Sequence, residues 1–311
     1  MFNVLYIADD YKTPTGEGDI STLKNGFTLF SSNEITTFDL DLSGLIIGNS
    51  MFSNCGSLTQ IDTNLKHLID GHDMFSGCNS LTRLNDSDYS YNDSSYTMFA
   101  SLVNGYNMFG SCSSLTGFKY NLPSLKNGYY MFSNCNNLTA FDSGLNSLNN
   151  GGWMFRNCSK LTSFNSNLSS LTNGYGMFYN CSKLVTFNNA DLSALIDSQS
   201  MFYKCSELKT FNTAIPNVLN CSYMFENCTK LKSFTSDLST LVDGYEMFYS
   251  CSALTTFVSS LNSLISGTDM FYGCKLSPKS LMYISSSIND IIEEKNLYTS
   301  GVKPYIVENW N

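Results

Sequence analysis

Only 14% of the 311 residues are charged and the formal net charge is −9, so the chain lacks the clustered basic surface that neutralises phosphates, and nucleic acid is excluded as an expected partner. Asp and Glu are scattered rather than blocked, so the acidity reads as solubility. No run of about 18 apolar residues occurs, so no membrane insertion is expected.

The chain opens with "MFNVLYIADDYKTPTGEG", a short apolar stretch with no basic region before it and acids soon after it, which is not the pattern of a secretory signal. No lipidation motif is visible, so synthesis in the cytoplasm is expected and the final compartment stays open. Sequons such as Asn137-Leu-Thr and Asn180-Cys-Ser recur as by-products of a repeat. Residues 1–27 read as an amino-terminal cap, and "TLKNGFTLFSSNEITTFDLDLSGLIIG" as a degenerate first coil, one residue short between Phe30 and Phe38 and without a Cys.

A Met-Phe pair then returns at Met51, Met74, Met108, Met131, Met154, Met177, Met201, Met224, Met247 and Met270. The step is 23 residues, lengthening to 24 after Met177 and to 34 after Met74. Length alone suggests two domains, but this period makes one elongated solenoid over residues 28–276, about 11 coils, in which each coil buries its apolar face only against its neighbours. Counting Met as zero, the columns are Phe +1, Cys +4, Leu +7, Phe +10, Leu +14, Leu +17 and Gly +20. In the coil of Met131 these are Phe132, Cys135, Leu138, Phe141, Leu145, Leu148 and Gly151. Around +8 to +12 the pattern suits one short parallel strand per coil, with +8 and +10 facing in and +9 and +11 facing out. The Gly near +20 fits a turn that needs positive φ, with Ser198 and Cys221 as departures.

The long step hides an insertion near residues 85–98, "NDSDYSYNDSSYTM", with Leu84 in the +10 slot and Phe99 in the +14 slot. Its Asp86, Asp88, Tyr89, Tyr91 and Tyr96 have the composition of a binding loop, where Tyr supplies contact area and small residues adapt. Asp86, Asp88, Asn92 and Asp93 lack the spacing and the Gly of an EF-hand, so calcium is a weak expectation there.

Ten of the 11 cysteines occupy +4, one thiol per coil in single file, whereas metal sites need converging ligands. There is no CxxC, and His67 and His72 are the sole histidines, so the column reads as reduced, buried packing, with Cys221 outside it as a tolerated substitution or an accessible thiol. Neither a nucleophile–histidine pair nor a phosphate-binding glycine loop is present, so no enzyme, cofactor or metal is expected. Two surfaces remain. One is the outward strand face, Gln60, Arg83, Ser163, Thr186, Thr210 and Ser233 at +9 with Asp62, Asn85, Lys119, Asp142, Asn165, Asn188 and Asn212 at +11, either a ligand platform or a solvated sheet. The other is a tyrosine strip, Tyr179, Tyr203, Tyr249 and Tyr272 at +2, joined by Tyr106, Tyr129, Tyr175 and Tyr245 before Met; it suits sugar rings or a protein, or packs between coils. After Cys274 the period ends. "LSPKSLMYISSSINDIIEEKN" offers Ser277 as N-cap, Pro278 at the first helical position and Leu281, Ile284, Ile288, Ile291 and Ile292 on one face, so residues 277–311 read as a capping helix and tail.

The "MFxxCxxLTxF" phrase and its "LxxLxxG" return resemble the leucine-rich repeat family of the BspA type, with its "AFxxCxxL" phrase, over residues 23–276. The departure is at +12, small and polar here (Thr63, Ser143, Ser166, Ser236, Ser259), which argues against strong horseshoe curvature. The resemblance implies a right-handed leucine-rich-repeat-like solenoid that recognises a cell-surface glycan or protein. Such proteins are often bacterial surface adhesins, and similar repeats occur in tailed phages. The missing export signal turns the expectation toward a virion-attached receptor-binding module, with a scaffolding part joined through its termini as the alternative.

Overall fold

The computed structural model describes residues 20–85, 98–187 and 190–287. The Met-Phe stretch of each coil is a chain of tight turns. In the coil of Met131, the amides of Met131, Ser133 and Cys135 donate to the carbonyls of Gly128, Tyr130 and Phe132, three residues back. Two residues per coil take left-handed backbone, one before Met and one at +3, here Tyr130 (φ 59°) and Asn134 (φ 62°). A turn with positive φ at its third position favours Asn or Gly, and +3 is Asn54, Gly77, Asn134, Asn157, Asn180, Asn227 and Gly273 in seven of the coils. The alternation aims every second amide along the solenoid axis. Gly128, Tyr130, Phe132 and Asn134 donate to the carbonyls of Asn150, Gly152, Met154 and Arg156 of the next coil at 2.7–3.0 Å, so the segment's donors are used without a strand.

Ten short strands are described, one per coil: β1 (Thr37–Phe38), β2 (Gln60–Asp62), β3 (Arg83–Asn85), β4 (Gly117–Phe118), β5 (Ala140–Phe141), β6 (Ser163–Phe164), β7 (Thr186–Phe187), β8 (Thr210–Phe211), β9 (Ser233–Phe234) and β10 (Thr256–Phe257). All pairing is parallel and repeats one coil along, as Phe164 with Phe187 and Phe187 with Phe211. The expected single sheet is three in line: β1 to β3, β4 with β5, and β6 to β10. One break falls at the insertion. At the other, the amide of Thr162 is 3.4 Å from the Thr139 carbonyl, at the limit of a hydrogen bond. A second parallel ladder, at the residue before the +20 Gly, runs unbroken from Asn25 through Asn150 to Ser266.

The expectation that +8 faces in is corrected. Thr59, Thr82, Thr139 and Thr162 are exposed, and their hydroxyls bond the preceding coil's carbonyl, as Thr59 Oγ1 to Thr36 O at 2.9 Å. The strand begins only at +9, so the alternation places +10 and +12 inside. The buried +12 hydroxyls form their own rungs: Thr63 donates to Leu40 O, Ser166 to Ser143 O and Ser236 to Thr213 O. The +20 glycines are corrected too. None of them has positive φ; what they provide is space, since a Cβ on Gly151 would stand 3.0 Å from Met177 Sδ of the next coil. Ser198 and Cys221 fit that slot fully buried, bonded through Ser198 Oγ and Cys221 Sγ at 3.2 Å.

The core is two interlocked phenylalanine ladders. The +1 rings stack from Phe30 to Phe271 with centroids 5.3 to 5.6 Å apart, and from Phe132 onward each meets a +10 ring edge-on, as Phe155 with Phe141 at 4.8 Å. Phe99, past the insertion, stacks on Phe118 of the +10 ladder at 5.9 Å, and Met98 beside it is fully buried, so the core resumes at Met98. Tyr120 takes the +12 place in the next coil, buried, and its hydroxyl donates to Leu84 O. At the carboxyl end, helix α1 (Pro278–Ser287) starts at Ser277, whose Oγ accepts from the Ser280 amide. Ser280 Oγ in turn accepts the Phe257 amide at 3.0 Å, which covers the edge of β10, and Ile284 is buried. Ile288, Ile291 and Ile292 lie outside the described residues.

Phe155→Ala is expected to cost about 3–5 kcal/mol in chemical denaturation, because a ring in contact with four others is lost. Phe27→Ala, whose ring is exposed, is expected to change stability by less than about 0.5 kcal/mol. Similar losses at the two positions would refute the ladder as the source of stability.

Candidate functional site

The thiol column is structural. Each +4 Cys is buried and donates to the +1 carbonyl of the preceding coil, as Cys158 Sγ to Phe132 O at 3.2 Å and Cys181 Sγ to Phe155 O at 3.1 Å. All 11 are free. Burial pushes Cys135 and Cys274 up to about 12, and Cys221, the candidate accessible thiol, is buried and likewise at about 12. No group of three or more His, Cys, Asp or Glu that could hold a metal ion occurs among the described residues.

The strand face points outward as expected: Asp142, Asn165 and Asn212 are exposed and Asp62 is half-buried. Asn85 ends β3. Asn188 and the inserted-loop candidates Asp86, Asp88, Tyr89, Tyr91 and Tyr96 lie outside the described residues.

The tyrosines come together, though not as a single +2 row. Tyr179 stacks on Tyr203 at 4.5 Å and Tyr249 on Tyr272 at 4.6 Å, and Glu226 takes the +2 place between the pairs. The strip continues toward the amino end through the residues one and two before Met. His72 meets Tyr106 at 5.2 Å, Tyr106 stacks on Tyr129 at 5.8 Å, Tyr129 touches Tyr130 at 4.6 Å, Tyr130 lies parallel to Trp153 at 6.3 Å, and Trp153 meets Tyr179 at 5.2 Å. Gly152 and Gly176 make room: a Cβ on either would stand within 2.6 Å of Tyr129 or Trp153 ring atoms. The rings are half-buried and mostly face one another, and some of their hydroxyls bond one another, as Tyr179 with Tyr203. The strip's own cations lie on ring faces, Arg156 over Trp153 at 5.6 Å and Lys204 over Tyr203 at 5.1 Å.

Glu226 is 9% exposed. Burial, reinforced by Glu246, raises its carboxyl to about 7, against the opposing influence of Lys204 and of a hydrogen bond with Tyr203. Asn227 Nδ2 donates to its Oε1 at 3.1 Å. One rung on, the Tyr245 hydroxyl is held up at about 12, first by its hydrogen bond to Glu246.

Sequence reasoning missed Glu226, the −1 aromatics Tyr130, Trp153 and Tyr223, and the amide ladder beneath them. In that ladder Asn127 Nδ2 donates to Asn104 Oδ1 at 3.0 Å and Asn173 Nδ2 to Asn150 Oδ1 at 3.2 Å, and each Oδ1 also accepts an amide two residues on. The recurrent Asn or Asp before the +20 Gly was the available signal.

Parallel one-strand coils of about 23 residues around stacked ring ladders define a β-solenoid of leucine-rich repeats. The chain belongs to the BspA type leucine-rich repeat family, whose repeat region, in six copies, matches residues 21–104, 104–209 and 198–299. Leucine-rich repeat proteins are typically protein-binding or adhesion surface proteins. No curated protein matches. Among solved structures, a leucine-rich repeat protein of T. pallidum is 23% identical (TM-score 0.43), over 59% of this chain and 87% of that one. One from Eubacterium ventriosum is 19% identical (TM-score 0.45; 81% and 68% covered), and a leucine rich cell surface protein from Faecalibacterium prausnitzii 16% identical (TM-score 0.33; 77% and 83%). No described helix is long and apolar enough to cross a membrane.

A thiol reagent added to the native protein is expected to titrate less than one Cys rapidly, and all 11 after denaturation. Fast native reaction would contradict the buried column. Glu226 has a folded-state value above its ordinary 4.5, so the folded chain binds the extra proton: its contribution favours folding below about pH 4.5 and is lost as pH rises through about 7. Glu226→Gln is therefore expected to stabilise the protein at pH 8 by about 1–3 kcal/mol and to flatten the pH dependence of melting between 4.5 and 7. An unchanged pH profile would show that Glu226 is freely solvated.

Proposed function

We propose that the protein is a non-enzymatic recognition module that adheres to a cell-surface protein or glycan through the aromatic strip. The carrying observation is continuity: half-buried His, Tyr and Trp rings follow one another from His72 to Tyr203 on the turn side of successive coils. Tyr and Trp give large contact area at low entropic cost, with a polar tip for orientation. Because neighbouring rings occupy one another's faces, the edges suit a protein surface better than stacked sugars. Coverage of β10 by α1 supports a free-standing module, and attachment to a phage particle is one setting for it. A second reading, a structural part of a larger assembly, is favoured by the exposed aliphatic row Ile196, Leu219, Val242 and Ile265 on successive coils.

The test is binding of the purified protein to candidate host cells, to extracted surface proteins and to a glycan array. Alongside run Tyr179→Ser/Tyr203→Ser, Tyr249→Ser/Tyr272→Ser, Trp153→Ser and a deletion of residues 86–97, each checked for an intact melt. Saturable binding reduced at least about tenfold in a strip variant supports the proposal. Loss confined to the deletion moves recognition to the inserted loop. A folded parent that binds nothing but self-associates, dispersing on Leu219→Lys, supports assembly instead.

A further inference from the structure

The aromatic strip changes character at its carboxyl end. Up to Tyr203 its rings carry cations of this chain, Arg156 and Lys204. Beyond, the turns around Met224, Met247 and Met270 contain no Lys, Arg or His from one residue before Met to three after it, and hold Glu226, Glu246 and Asp269 instead. These three acids stand on successive rungs fixed by backbone bonds: Tyr223 N–H to Tyr245 O at 2.9 Å, Asn227 N–H to Tyr249 O at 2.8 Å and Glu246 N–H to Thr268 O at 3.0 Å. Phenols flank them, since Tyr223 meets Tyr245 at 5.3 Å and Tyr249 stacks on Tyr272.

One cation, Lys204, bears on Glu226 from the face of Tyr203. The described ion pairs, His72 with Asp73 and Lys230 with Glu207, include none of the three. Glu226 is buried to 9% exposure, and one oxygen of Asp269, Oδ1, is buried without a hydrogen-bond donor. Charges withdrawn from water beside like charges are costly unless a counter-charge arrives.

We infer that this end of the strip is a docking surface for a cationic protein segment, whose Lys or Arg side chains enter between the phenols and pair with Glu226, Glu246 and Asp269. The inference rests on the recognition reading and names the chemistry of its partner at one end of the strip. Lys204 over Tyr203 shows, within this chain, the arrangement that a partner's cation takes up one coil further on. The titratable and polar groups that bear on Glu226 are Glu246, Lys204, Tyr203, Tyr223, Tyr249 and Asn227, so an arriving cation also draws its carboxyl toward the ionised form and binding releases protons as pH falls toward 6.

The test uses the full chain and a fluorescent eight-residue peptide of alternating Arg and Ser, with alternating Glu and Ser as control, followed by anisotropy at 50 and 150 mM salt. Saturable one-to-one binding of the Arg peptide is expected, weakened at least about tenfold in Glu226→Gln/Glu246→Gln and several-fold in Asp269→Asn. Asp191→Asn/Asp237→Asn removes the same charge at exposed turns and is expected to change affinity less than twofold. Equal loss in both double variants would reduce the effect to net charge, and no loss, or no binding by a folded parent, would overturn the inference. Cell or protein binding that survives Glu226→Gln/Glu246→Gln but fails in Trp153→Ser would leave the recognition reading standing while this inference falls. An aminated glycan displacing the Arg peptide, with cell-surface protein giving no competition, would overturn the choice of a protein segment.

Discussion

Every coil is fastened to its neighbours at the residue after Met. Phe155 shows the whole joint: its amide donates to Met177 O at 2.8 Å, its carbonyl accepts the Cys158 amide of its own coil and the Cys181 thiol of the next, and its ring stacks on Phe132 and Phe178. Edge-on contacts to Phe141 and Phe164 tie that joint to the strands. Most other features of the coil serve this registration. A Cys rather than a longer side chain stands at +4 because the thiol must reach a carbonyl one coil back within a closed ring ladder, and a Gly stands at +20 because the second Met after it, Met177 for Gly151, passes over it.

The period, the buried columns, the inert thiols and the capping helix were legible because each is a repeated choice of residue type. What stayed hidden was geometry that several residue types can satisfy. Left-handed backbone at +3 could be read in Asn134 and Asn157 but not in Lys204 or Ser250, which adopt it because the inter-coil bonds impose it. The +20 Gly invited a turn argument, yet the constraint comes from Met177 or its equivalent, a residue one coil away that no local pattern names. Likewise Thr139 at +8 looks inward by alternation, and only the lateness of the strand turns it out. The tyrosine strip was seen in part because its members share columns. Its continuity through Trp153 depends on crossing from one column to another, over glycines at 152 and 176.

A solenoid converts one position in a repeat into a line on the surface. The sheet face uses its outward positions for short polar groups and its hydroxyls for binding back to the previous coil, as Thr59 and Thr139 do. The turn side is different, because the left-handed residues before Met project side chains out of a backbone whose polar groups are already paired along the axis. The backbone at those positions registers the coils but the side chains do not, and Ser50, Trp153, Tyr223 and Glu246 all occupy the same one. That column therefore tolerates side chains as different as these, which leaves it free to carry the recognition proposed above.

Glu226 sharpens the point. At +2 the neighbouring coils place Tyr203 and Tyr249, and a Tyr at 226 would have joined the two stacked pairs into one ladder of five rungs from Tyr179 to Tyr272. The chain instead interrupts its own stack with a carboxyl that burial and Glu246 hold near neutrality, an arrangement that works against folding at pH 8. The core does not depend on it, since the +1 and +10 ladders pass beneath without a break at Phe225 and Phe234. On the recognition reading proposed above, a residue that costs stability while the core below it is intact is accounted for by a contact outside the molecule, at the acidic end of the strip.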